Sequence, residues 1–100
     1  MHGEDLKAYV EQFGIDVIIR FGNGDEIPIK AIFDDAFFNT QLGEIEIDMS
    51  KPRLTCVYED VLEVIKEDIA IINGVEYFVV KKPQPDGLGM ALIILSKSND

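Results

Sequence analysis

The stretch AIFDDAFFNT, residues 31–40, sets two adjacent carboxylates, Asp34 and Asp35, beside Phe33, Phe37 and Phe38. Two carboxyls in an apolar setting could share a proton as a catalytic pair or hold a cation. Adjacency works against both, because neighbours in an extended chain point to opposite faces. Aspartates at a strand end more simply bond their own backbone and start a turn. The second candidate pair is Glu59 with Asp60, and there Asp60 is claimed by a capping box with Glu63 at the start of EDVLEVIK. Glu44, Glu46 and Asp48 form a third acidic set. Spaced about 7 Å apart along one strand face, they offer a cation at most two ligands, and a solvated face describes them better.

Cys56 is the one cysteine and is far in sequence from the one histidine, His2, so neither a zinc cluster nor a Cys-His nucleophile can be assembled. It reads as a small buried apolar side chain. No serine has a histidine to activate it. GNGDE follows a strand pattern but leads into Ile27 and Pro28, not into a helix that could cradle phosphate. Tyr58, Tyr77 and Phe78 sit among acids and strand positions, which suits core packing rather than base stacking. These readings lead to no enzyme, no metal and no cofactor.

Nine basic against nineteen acidic side chains leave a net charge of −10, which opposes sequence-independent binding to a phosphate backbone. The opening MHGEDLKAYV lacks the basic-then-apolar order of a signal peptide. ALIIL and VIIRF are far shorter than the roughly 20 residues of a membrane helix. A soluble protein made in the cytoplasm is expected.

The elements that would position these residues follow from periodicity. Leu6, Tyr9, Val10 and Phe13 recur at helical spacing before Gly14, which predicts a short amphipathic helix over residues 1–14 whose stripe must meet the body or a partner. From Ile15 the period becomes two. Ile15, Val17, Ile19 and Phe21 form one strand, and after the GNGD turn Ile27, Ile29, Ala31 and Phe33 form its antiparallel partner. Pro28 belongs at an edge or bulge. GEIEIDMS and RLTCVYE read as the next strands, EDVLEVIK as one or two helical turns, and DIAII with VEYFVVKK as a hairpin around Asn73-Gly74. MALIILS, apolar on both faces, suits a central or closing strand. About seven short strands cannot leave long edges bare, so a mainly β fold is predicted: a small antiparallel barrel over residues 15–100, with a short N-terminal helix and one short helix between strands.

Phe33, Asp34 and Asp35, then Asp68, Ile72, Asn73, Gly74, Tyr77 and Val79, then Asp86, Gly87 and Gly89 together resemble the head-tail joining (attachment) proteins of lambda-like tailed phages. The resemblance covers about residues 15 to 96. It departs at Glu67, which precedes Asp68 where that family often has Gly, and at the start, a short helix in place of a longer flexible arm. The resemblance implies a structural, non-enzymatic protein of the virion neck, assembled in the host cytoplasm. It further implies a ring, hexameric in the lambda-like case, partnered by a head-side connector or head-completion protein and a tail-end protein, with DNA passing nearby unbound.

The segment after Phe33 has neither helical nor alternating period and is too long for a tight hairpin. Asp34, Asp35, Phe37, Phe38, Asn39, Gln41 and Leu42 are therefore the expected interaction loop, and Leu6, Tyr9, Val10 and Phe13 a second partner-contact element. The competing expectations are a cytoplasmic barrel binding a small ligand or divalent cation through Asp34, Asp35 and the Glu44 row, and a related tail-terminator protein.

Overall fold

The computed structural model describes residues 3–34 and 51–97. Helix α1 (Gly3–Phe13) leads into β1 (Ile15–Arg20), β2 (Glu26–Asp34) and β3 (Arg53–Val57). A 3-10 turn (Tyr58–Val61) precedes β4 (Ile69–Ile72), β5 (Val75–Val79), the two-residue β6 (Gln84–Pro85) and β7 (Met90–Ser96). The sheet runs β3-β2-β1-β4-β5-β7-β6, and β3 also pairs with β7, which closes six antiparallel strands into a barrel with β6 as an extra strand on β7. The mainly β barrel expected from the sequence is the observed fold. GEIEIDMS, expected as a strand, lies outside the described residues, and β6 lies between VEYFVVKK and MALIILS, where no strand is predicted.

Alternation decides which side chains fill the barrel. Val17 and Ile19 of β1, Ile29 and Ala31 of β2, Leu54 and Cys56 of β3, Tyr77 and Val79 of β5, and Ala91, Ile93 and Leu95 of β7 are buried in one cluster. Phe33 packs at its margin, partly buried, its ring 5.5 Å from that of Tyr77. Val61 and Val64 join the same cluster from the connection between β3 and β4 and plug one end. The interior is thus solid side chain.

Two turns have the backbone that their residues predict. Asn73 and Gly74 both take positive φ (52° and 82°), the requirement of a two-residue hairpin whose flanking pair is Ile72 with Val75. In the GNGD turn, Phe21 N–H donates to Asp25 O at 2.8 Å, making a hydrogen-bonded pair. Alternation from that pair places Pro28 opposite Ile18 without ladder bonds, so the Pro28 nitrogen faces away from β1. On that far side β3 joins only from Ala31 onward, so a residue with no donor sits at a local edge of an otherwise internal strand.

The expected capping box does not form. Val57, not Asp60, precedes the 3-10 turn, no side chain caps it, and Asp60 lies within it. One turn is too short to need such a cap, and burial of Val61 and Val64 determines the path. The acceptor comes from downstream: Asp68 Oδ2 takes the Ile65 N–H at 2.9 Å.

Candidate functional site

Asp34, first of the adjacent acids, ends β2 directly opposite Arg53, whose Nε lies 3.9 Å from its Oδ2. It is a cross-strand charge partner, a relation the local reading of a turn-starting aspartate missed because the cation comes from 19 positions onward in the chain. Asp35, Phe37, Phe38, Asn39, Gln41 and Leu42 lie outside the described residues, as do Glu44, Glu46 and Asp48.

The helix stripe is divided. Val10 is buried with Val57 and Met90, and Leu6 and Ile32 pack against that group, so one edge of the stripe holds α1 on the outer face of β2, β3 and β7. Val10 thereby leaves the set of residues open to a partner. Tyr9 and Phe13 remain, 53% and 59% exposed, their ring centroids 4.9 Å apart. What fixes the helix so close to the barrel is Gly14. A Cβ there would stand 2.5 Å from Val10 O and 2.9 Å from Ala31 O, both backbone atoms, while Gly14 N–H donates to Val10 O at 2.8 Å and ends the helix.

A second exposed apolar pair, Leu62 and Ile65, lies on the connection that plugs the barrel end. EDVLEVIK carries four apolar side chains, Val61, Leu62, Val64 and Ile65. The structure buries only the two valines.

Cys56 is fully buried, and its Sγ lies 3.9 Å from Ala91 O. Burial, with a smaller push from the charge of Asp60, raises its thiol to about 12. A thiol so seldom ionised is a poor nucleophile or metal ligand near neutrality. On the outer surface Arg20 bonds Glu26 at 3.0 Å and Glu76 at 3.2 Å, and these carboxylates raise the guanidinium pKa further. That ties β1, β2 and β5 together.

Asp68 is the residue that charge counting overlooked. It is 3% exposed, the one buried polar residue among those described. Besides taking the Ile65 N–H, it accepts from Val79 N–H at its own carbonyl (2.8 Å), while Glu67 N–H donates to Val79 O (2.8 Å). Glu67 has φ of +80°, a conformation that suits glycine. The position where the resemblance has a frequent Gly is therefore one where the backbone itself favours Gly. Asp86 organises the loop that enters β7: its Oδ1 accepts from the N–H groups of Leu88 (2.6 Å) and Met90 (3.2 Å) in a segment where Gly87 and Gly89 take positive φ. Asp68 and Asp86, with Gly74, Gly87 and Gly89, are thus positions of the resemblance that shape the backbone.

Among the described residues no helix is long and apolar enough to cross a membrane. A family model described as Phage Head-Tail Attachment protein matches residues 4–95, from the first turn of α1 to the penultimate residue of β7. No curated protein matches the chain significantly.

Proposed function

The chain belongs to the phage head-tail attachment family, and from that premise we propose that it is a neck component joining the DNA-filled head to the tail by protein contacts alone. The family is a structural one, and its members are virion components. The observation that carries the finer reading is how the positions of the resemblance are used. Asp68, Asp86 and the glycines around them build turns, the core is solid, and the one thiol is buried, so what the molecule offers to others is surface.

In this reading the protein docks on the head-side connector or head-completion protein and presents a second face to the tail-end protein. Copies form a ring, assembled in the host cytoplasm, and DNA passes between copies because the barrel interior is filled. Phe37, Phe38 and Leu42, with Asp34, Asp35, Asn39 and Gln41, form the loop that meets one partner. Tyr9 and Phe13 are the apolar anchors of another contact.

The test is complementation. Heads and tails from a phage lacking this gene are mixed with the purified protein, and joined particles are counted. Wild-type protein should restore joining, and failure to do so at any concentration sinks the reading. Phe37→Ser with Phe38→Ser should lower the yield of joined particles at least tenfold with little change in Tm, and Asp34→Asn with Asp35→Asn should do less, because rim charges contribute less than apolar anchors.

A further inference from the structure

A groove of about 340 Å³ opens where β2 parts from β3. β2 pairs with β1 from Glu26 to Ala31 but with β3 only from Ala31 onward, which leaves Pro28 and Ile29 beside an unpaired flank. Val10 of α1 and Val57 at the end of β3 complete an apolar floor, and the rim carries Glu11, Asp16, Asp60 and Lys30. Lys30 Nζ is held by Asp16 Oδ1 at 2.8 Å. Glu11 and Asp60 have no cation within ion-pair distance among the described residues.

We propose that this groove receives a cationic side chain with an aliphatic stem, an arginine or lysine, carried by a different protein of the assembly. The proposal rests on the joining role, since it supplies the chemistry of one partner. An apolar floor under an acidic rim fits such a side chain, whose methylenes bury while the charged head stays at the solvent edge. Carboxylates beside a low-dielectric wall attract the head more strongly than the same charges in open water. A metal ion fits less well, because no three carboxylates, cysteines or histidines are grouped to hold one among the described residues.

A second copy is also a poorer occupant. Each copy brings a net charge of −10, so a second copy would approach the acidic rim against mutual repulsion; its two arginines are already engaged, Arg20 by Glu26 and Glu76 and Arg53 opposite Asp34, which leaves only lysines to offer. The groove therefore adds a charge criterion to partner choice: the matching surface on the head or tail side is basic.

Two experiments test this separately from the joining role. In the first, full-length protein is titrated with n-butylguanidinium, followed by the NMR signals of Val10, Ile29 and Val57. Saturable shifts are expected, weakened at least fivefold by Glu11→Gln with Asp60→Asn and by 0.5 M salt. No saturable shift, equal shifts with neutral n-butanol, displacement by magnesium, or the same shifts on merely concentrating the protein would each overturn it, the last by making a second copy the occupant. In the second, Glu11→Lys with Asp60→Lys is placed in the joining assay. Circular dichroism and Tm should be near wild type, joining should fall at least tenfold, and suppressors should replace a basic residue of another neck protein by an acidic or neutral one. Wild-type joining with undiminished joining by the double-lysine protein overturns the groove but not the neck role. Failure of the wild type to join, with the titration positive, overturns the neck role while the cation groove stands.

Discussion

At the scale of single residues, Glu67 is the position where local chemistry and backbone disagree. Its φ of +80° burdens any side chain with a Cβ by about 1–2 kcal/mol, against which Gly loses more chain entropy on folding. Glu67→Gly should therefore raise stability by up to about 1 kcal/mol, or about 4–8 °C in Tm for a domain of this size; an unchanged or lower Tm would show that the Glu67 side chain makes an offsetting contact. Cys56 gives a pH signature. Its ordinary value is 9.0 and burial raises it to about 12, so the neutral thiol's contribution is whole below pH 9 and is lost as pH climbs toward 12, where only the unfolded chain ionises. Over that window wild-type stability should fall more steeply than that of Cys56→Ala, by about 1.4 kcal/mol per pH unit at most. Parallel urea titrations of the two proteins provide the difference, and parallel slopes would refute the assignment.

At the scale of elements, the attachment of α1 depends on one missing side chain. Gly14→Ala would drive a Cβ into Val10 O and Ala31 O, neither of which can swing aside, and should cost about 1–3 kcal/mol by lifting the helix from Val57 and Met90. Loss of far-UV helical signal with the barrel still folded would be its mark; full stability would mean that the close approach is not required. Phe33→Ala is a companion case. The alternation Ile27, Ile29, Ala31, Phe33 correctly leads Phe33 to the core, but at the margin, so the loss should lie below the roughly 3–5 kcal/mol of a fully buried ring. These two cases show what periodicity can and cannot read. The strands β1, β2, β4, β5 and β7 were legible because each buries one face at period two, and the Asn73-Gly74 turn because only certain residues tolerate its φ. The split of the helix stripe was not legible, since Leu6, Tyr9, Val10 and Phe13 share one helical spacing and which of them the barrel covers depends on how α1 sits on Val57 and Met90. Nor was the Asp34–Arg53 pairing, which depends on strand register across a long connection. The groove beside Pro28 depends on the same register, through the point at which β3 joins β2.

At the scale of the whole molecule, net charge and a filled interior together decide how copies and DNA can coexist. With packed side chains of the described residues occupying the barrel interior, a channel would run between copies, and copies that each carry −10 repel one another and the duplex alike. The free protein should then be monomeric at micromolar concentration and about 50 mM salt, because the apolar contacts available to it, such as Tyr9 with Phe13 and Leu62 with Ile65, are small against that repulsion. At about 1 M salt the screening length falls to about 3 Å, the repulsion is removed, and self-association should strengthen; an assembly held by ion pairs would instead weaken. Duplex binding should respond in the opposite way to a cationic protein: undetectable by fluorescence anisotropy at physiological salt, and still undetectable when salt is lowered, where a basic patch would gain affinity steeply. Sedimentation velocity across the salt series, run beside the anisotropy series, checks both halves. A stable hexamer at low salt, or affinity for DNA that rises as salt falls, would mean that a local surface overrides the net charge.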